Sequence, residues 1–297
     1  MVKAVQQELF PFELPKMVKG IPTFGAIRTQ VWTEQKAKLI SRYLKLFVFI
    51  THHGTYIDGF AGPQYSDKED SWTAKMVLEN EPRWLRRFFL CDLGKSQVEA
   101  LERLVGEQPQ IKNRHATVMA GDFNSRVGEI LNSGHVAEGI ASFCLLDQRT
   151  FECEWRTVET IASAKQEDKV ELMYFVPTGW FGRAVSAQQD KSVIERWWGR
   201  DDWQSLRGMQ KHERADAFCK RFRAELGYAY AHYWPIFEME GGQGRVMYHL
   251  IHASDHPEAP RLMARAYRTA TKALPPEEQL VMELAALRTE LGTNRDA

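Results

Sequence analysis

The apolar positions of the chain follow two periods. Over residues 33–50, Lys36, Leu39, Ile40, Tyr43, Phe47 and Ile50 recur at three- and four-residue steps, which predicts a helix with one buried face and Thr33 as its N-cap. His52 and His53 then end that helix, where a cation complements the dipole. Short apolar runs follow, alternating with amphipathic stretches. Residues 56–58, 87–92, 116–120, 140–146 and 170–176 read as strands. Residues 71–80 and the segments bearing Val98, Leu101 and Leu104, Val127 and Ile130, and Trp155, Val158 and Ile161 read as helices. Near-continuous apolar strands alternating with helices indicate a parallel sheet covered on both faces.

Two features break the alternation. Residues 180–227 contain Trp180, Trp197, Trp198 and Trp203 among many charges and exceed what a crossover needs, so they read as a helical insertion. The runs 230–239 and 245–253 flank Glu240, Gly241, Gly242, Gln243 and Gly244, which is hairpin chemistry. The expected class is therefore α/β: a mostly parallel sheet with a C-terminal antiparallel hairpin, helices on both faces, and a helical insertion before the hairpin. An irregular arm is expected over 1–30, the main domain over 31–273, and a helical tail over 274–297. In the tail Leu280, Leu284, Leu287 and Leu291 repeat at heptad spacing for too short a stretch to form a coiled coil.

Composition narrows the classes. The 297 residues carry 39 basic and 39 acidic side chains, so no global field favours nucleic acid, and a local patch would have to supply it. No apolar run is long enough to cross a membrane, and the chain reads as soluble and cytoplasmic. Cys91, Cys144, Cys153 and Cys219 are scattered without a C-x-x-C, which gives zinc little support. Cys91 and Cys144 fall in apolar runs suited to reduced, buried thiols.

The candidate chemistry gathers at strand ends. The first strand runs into Asp58, Gly59, Phe60, Ala61, Gly62 and Pro63. Gly59 and Gly62 allow unusual backbone angles and a close ligand approach, and such a loop after the first strand of an open α/β sheet is where nucleoside-type ligands sit. Three further strands end in Asp92, Asp122 and Asp147. Each acid precedes a helix, where Asp is a preferred N-cap, but four in register converge on one sheet edge. Asp92 suits two ribose hydroxyls, Asp122 with Phe123 suits adenine, and Asp147 is placed to act on a substrate. The Gly-x-Gly-x-x-Gly and Walker-type fingerprints are absent. The pattern resembles the Rossmann-like methyltransferases that use S-adenosylmethionine.

Three segments carry a closer resemblance: Trp32 to Lys36 with Tyr43 and Leu44, Tyr56 to Pro63, and Tyr248 to Leu250 with Ala253 to Pro257. Over residues 24–273 they resemble the three-Cys-motif partner protein (TcmP) family. That resemblance implies a methyltransferase-like fold, a three-Cys-motif protein as partner, and a setting among bacterial mobile-element or phage-defence genes. It implies that Asp58, Gly59, Phe60, Ala61 and Gly62 hold the methionine end of the cofactor and that Asp147 and Phe151 act on the target, Phe151 by stacking. Relatives carry Gly at the place of Gln64, and Pro, an aromatic and Gly after the fourth-strand acid, where this chain has Gln148, Arg149 and Thr150. The alternative expectation is a catalytically inactive methyltransferase-like protein that binds the three-Cys partner.

Other residues invite nucleic acid or metal. Arg261, Arg265, Arg268 and Lys272 form a basic stripe on one helix, Arg149 can meet a phosphate, and Trp197 and Trp198 with Arg196 and Arg200 can stack on bases, although a solvated face and an insertion core are the better explanations of the stripe and the tryptophans. His249 and His252 point to opposite faces of a strand, poor geometry for a metal, and Ser254 or Asp255 with Pro257 suits a helix start.

Overall fold

The structure is a computed structural model that describes residues 16–18, 21–23, 31–64, 69–273 and 275. The tail expected over 274–297, apart from position 275, and most of the arm expected over 1–30 lie outside these residues. Within the arm, β1 (Lys16–Val18) and β2 (Ile21–Thr23) pair as a short antiparallel ladder.

Seven strands build the central sheet: β3 (Thr55–Asp58), β4 (Arg87–Asp92), β5 (His115–Ala120), β6 (Ser142–Leu146), β7 (Glu171–Val176), β8 (Tyr230–Phe237) and β9 (Val246–Ser254). Their order is β5-β4-β3-β6-β7-β9-β8. Neighbours from β5 to β7 are parallel, and β9 runs antiparallel to both β7 and β8. This is a Rossmann-like methyltransferase sheet. The chain winds outward from β3 to β5, then returns to the other side of β3 with β6, so the strand order reverses between β3 and β6. Crevices form at the carboxyl ends of such a switch point. Every residue of β3, β6 and β7 is buried, which is why those strands lack polar alternation.

Helices cover both faces. α1 (Val31–Thr51) packs with α9 (Ala259–Thr271), and its Tyr43 ring meets Phe143 and His252 at 5.9 and 4.7 Å. α1 begins two residues before Thr33, so Thr33 lies buried in the first turn rather than at the N-cap. The helix ends at Thr51, and His52 takes a left-handed φ of 57°. Over 71–80 the helix is shorter than expected, α2 (Thr73–Leu78), behind a 3₁₀ turn at Glu69–Ser71. α3 (Lys95–Gly106), α4 (Phe123–Leu131) and α5 (Trp155–Ala162) are the remaining crossovers. α9 starts at Ala259 with Glu258 as N-cap and Pro260 in the first turn. Ser254 and Asp255 are occupied elsewhere: Ser254 donates to Glu171 at 2.8 Å, and Asp255 accepts the amide of Ala229 at 2.9 Å.

The insertion contains α6 (Phe181–Ala187), α7 (Ser192–Trp198), a 3₁₀ segment (Asp201–Arg207) and α8 (Lys211–Ala224). Its tryptophans are core. Trp197 and Trp198 are 0% and 4% exposed, which removes them as base-stacking platforms. The Arg221 guanidinium lies 3.7 Å from the Trp155 ring centre and 4.3 Å from that of Trp198; its Nε and Nη2 donate to the two oxygens of Glu225, each at 2.7 Å, and its Nη1 donates to Trp198 O. Arg196 and Arg200 pair with Glu154 and Glu225.

Candidate functional site

Register sets the depth of the four acids. Asp58 pairs with Leu90 of β4 and Leu145 of β6, so Asp92 and Asp147 stand two residues further up their strands, roughly 7 Å nearer solvent. Asp122 follows Ala120, the partner of Asp92, and is exposed. The result is a staircase: Asp58 at the floor, 1% exposed, then Asp92 and Asp147, then Asp122 at the rim.

The glycine loop continues the ladder of β3. Gly59 N donates to Leu145 O at 3.0 Å, Ala61 N to Cys91 O at 2.8 Å, and Trp72 Nε1 caps Ala61 O at 2.7 Å. Neither Gly59 nor Gly62 has a positive φ, so the expectation of unusual backbone angles fails. Both are glycines because of what approaches them. A Cβ on Gly59 would lie 2.9 Å from the Phe123 ring, and one on Gly62 would overlap Gln97 Cβ and lie 2.5 Å from Asp92 Oδ2.

These residues line one cleft of about 250 Å³: Asp58, Gly59, Phe60, Ala61, Gly62, Asp92, Asp122, Phe123 and Asp147, with Arg149 on the same wall. Asp92 accepts Gly62 N and Gly94 N, both at 2.9 Å, one on each oxygen. Asp122 caps α4, accepting Asn124 N at 3.1 Å through Oδ1. Asp58 accepts the Tyr56 hydroxyl at 2.8 Å and Phe60 N at 3.2 Å. Burial, aided by the charges of Asp147 and Asp92, still pushes its carboxyl up to about 7.

Phe151 is the exception. Its ring is 4% exposed and packs 4.9 Å from Trp197 and 6.0 Å from Phe181, away from the cleft. Gln148 explains the turn of the loop: its Nε2 donates to Phe175 O at 3.1 Å, and its Oε1 accepts Cys153 N at 2.8 Å. That clamp swings Arg149 and Glu152 toward the cleft and Phe151 into the insertion core. The basic stripe of α9 is a solvated face, with Arg261 paired to Glu258 and Lys272 to Glu240.

Several lining residues were not read from sequence as site residues. Lys36, from α1, is 4% exposed and its amine stands 2.6 Å from Asp147 Oδ2. The available signal was one charge on a helix face otherwise apolar. Tyr248 lies behind it, its ring centre 5.9 Å from Lys36 Nζ. Glu152, held up by burial above the usual carboxylate range, Gln97 and Trp72 also line the cleft. His249 and His252 are buried with partners, Thr178 Oγ1 at 2.6 Å and Glu171 Oε1 at 3.0 Å.

The donor set fits S-adenosylmethionine. The ligand is a cation with an ammonium, a diol and an exocyclic amine, all hydrogen-bond donors. The cleft offers five carboxylates against Lys36 and Arg149. Asp147 Oδ1 is buried without a partner among the described residues. Arg149 supplies a charge for a ligand carboxylate.

No family model and no curated protein matches the chain. Solved structures similar to it include a putative caffeoyl-CoA O-methyltransferase from Staphylococcus aureus (6% identity, 85% of this chain and 90% of that one, TM-score 0.42). The methyltransferase domain of bacterial-CtHen1-CN (10%, 75% and 99%, 0.44) and the DszA carbon methyltransferase (15%, 71% and 52%, 0.43) are also similar. Strand order and register define the fold.

Proposed function

We propose that the cleft binds S-adenosylmethionine and that the protein transfers its methyl group to a nucleic acid or to a substrate presented by a three-Cys-motif partner, in a mobile-element or defence setting. The observation that carries this reading is the staircase of acids over a glycine loop at the switch point of a methyltransferase-like sheet. Of the three segments that resemble the TcmP family, the first and second line this cleft with Lys36 and the loop after Asp58, and Tyr248 of the third lies behind Lys36.

Bound S-adenosylmethionine supplies an electrophilic methyl carbon. The chain's residues supply position. Asp92 holds the ribose hydroxyls, and Asp122 and Phe123 flank the adenine. Asp58 and the backbone of Gly59 to Gly62 receive the methionine end. Asp147, pinned through Oδ2 by Lys36, would offer its unpartnered Oδ1 to the N–H or O–H of the nucleophile and so hold that group in place. Such transfer depends mainly on in-line placement. Isothermal titration with S-adenosylmethionine tests this: binding by wild type that Asp92→Ala weakens by tenfold or more is expected, and no binding, or undiminished binding by Asp92→Ala, rejects it.

Two observations favour the second reading, an inactive accessory protein. Lys36 already occupies one oxygen of Asp147, and Phe151 is withdrawn from the target side. Under that reading Asp147→Ala leaves the biological phenotype and co-purification with the three-Cys partner intact.

A further inference from the structure

The cleft is acidic, but beyond Tyr248 the sign of the rim reverses. Four cations from three elements converge there. Lys211 and Arg214 stand about one turn apart at the start of α8. Lys211 Nζ donates to Val246 O at 2.9 Å, beside Arg245 at the head of β9. Arg214 Nη1 donates to Thr178 O at 3.1 Å, and its guanidinium lies 4.9 Å from the ring of Phe181, two residues before Arg183. The acids nearby are Glu238, which Arg245 binds at 2.8 and 3.1 Å, and Glu213, which is turned to the helix cap and accepts Gln210 N at 2.6 Å. His212 stands between Lys211 and Glu213 and is exposed. Burial lowers the Lys211 ammonium, and Arg245, Arg183 and Arg214 lower it further, as expected where cations are crowded against one another.

This cluster is tied to the target side of the cleft. Val246 and Tyr248 are two residues apart on one strand, about 7 Å. Tyr248 stacks behind Lys36, which holds Asp147. Gly179 is packed so tightly on this strand that a Cβ would overlap the carbonyl oxygen of Met247. The ribose and adenine acids lie on the opposite half of the sheet, at β4 and β5. A ligand anchored on the four cations therefore reaches Asp147 from the side facing away from the cofactor's nucleoside.

We infer that Arg183, Lys211, Arg214 and Arg245 form a phosphodiester-binding rim that seats a nucleic-acid strand and presents one nucleotide over Asp147. Arg214 Nε also donates to Leu206 O at 2.7 Å, so the carbonyls of Leu206 and Thr178 hold this guanidinium in place as Glu238 holds that of Arg245. Closely spaced, fixed cations match successive phosphates, which sit at fixed intervals, better than the scattered carboxylates of an acidic protein. The orientation rests on the methyl-transfer reading of the cleft; the anion binding does not.

The test is fluorescence anisotropy of fluorescein-labelled single-stranded RNA and DNA of about 20 nucleotides, without cofactor, across roughly 50 to 200 mM salt. The expected result is salt-dependent binding. Arg183→Gln and Lys211→Gln should each weaken it roughly 3- to 10-fold and reduce the slope of log affinity against log salt by about 0.7. Arg261→Gln and Arg265→Gln on α9 should leave it unchanged. Arg183 is exposed, and a thermal melt of each variant separates lost contact from lost fold. Absence of binding, equal binding by Arg183→Gln, loss in Arg265→Gln instead, or a preference for a polyglutamate peptide would each overturn the inference. Oligonucleotide binding without S-adenosylmethionine binding rejects methyl transfer alone; the converse rejects the rim alone.

Discussion

The amine of Lys36 stands 2.6 Å from one oxygen of Asp147, and the other oxygen of that carboxylate has no partner among the described residues. Both side chains are largely withdrawn from water, so each charge depends on the other. Lys36→Met leaves Asp147 close to Asp58 with no cation between the strand ends. The expected cost is about 3 kcal/mol in urea unfolding, the range seen when one partner of a buried pair is removed. Lys36→Met combined with Asp147→Asn should recover most of that loss. Additive losses in the double-mutant cycle would mean that the pair is not coupled.

Asp58, with its raised carboxyl, should tie stability, and binding of a cationic ligand, to pH. Its folded carboxyl sits at about 7, against about 4 when unfolded. The folded state holds this proton more tightly, so the group's contribution to stability is fully present below about pH 4 and is lost as pH rises to about 7. Asp58→Asn should therefore raise the melting temperature more at pH 8 than at pH 5. A cationic ligand favours the ionised form, so S-adenosylmethionine affinity should rise through pH 7 with proton release. Glu152 in the same cleft is also raised by burial, so Asp58→Asn is needed to assign the effect. A pH profile unchanged in that variant would remove Asp58 from the linkage.

Gly62 separates space from backbone freedom. Its φ is not in the left-handed region, yet a Cβ there would collide with Gln97 and Asp92. Gly62→Ala should cost about 1–3 kcal/mol by overpacking and displace the carboxylate assigned to ribose, so titration should show at least tenfold weaker S-adenosylmethionine binding. Gly128, inside α4, meets nothing within 4 Å. Gly128→Ala should stabilise by about 1 kcal/mol with cofactor binding unchanged, since only helix propensity differs.

The sheet was legible because its signals are local. Buried parallel strands write themselves as unbroken apolar runs, and 87–92 is recovered without a shift. The acids were legible because strand ends in such a sheet share an edge. What sequence hid is what depends on side chains meeting across the fold. Lys36 reaches Asp147 from a helix 111 positions earlier. Phe151 sits beside Asp147 in the chain, but the Gln148 clamp and the rings of Trp197 and Phe181 draw it away. The helix starts at Thr33 and Ser254 failed for a related reason: both are acceptable caps in isolation, but the backbone coils elsewhere and their side chains are buried.

Asn124 carries the last prediction. Its side-chain amide bonds Asp122 at the head of α4, the loop after β6 and the start of α5. Nδ2 donates to Asp122 Oδ1 at 2.9 Å and to Glu152 O at 2.7 Å; Oδ1 accepts Glu154 N at 2.9 Å and the Thr157 hydroxyl at 2.7 Å. It thus caps α5 from outside and fixes the far end of the loop that starts at Asp147. Asn124→Ala removes a capping acceptor and leaves the Glu154 amide and the Glu152 carbonyl to find water, a loss of about 2 kcal/mol. Asn124→Asp keeps the acceptor for α5 but loses both donated bonds and sets a second carboxylate against Asp122, so it should recover little of that stability. If the loop is what aims Arg149 and Glu152 into the cleft, both variants should also weaken S-adenosylmethionine binding. Hydrogen exchange over 147–154 should quicken in proportion. Full cofactor affinity with a loosened loop would show that the β6–α5 connection is not part of the binding site.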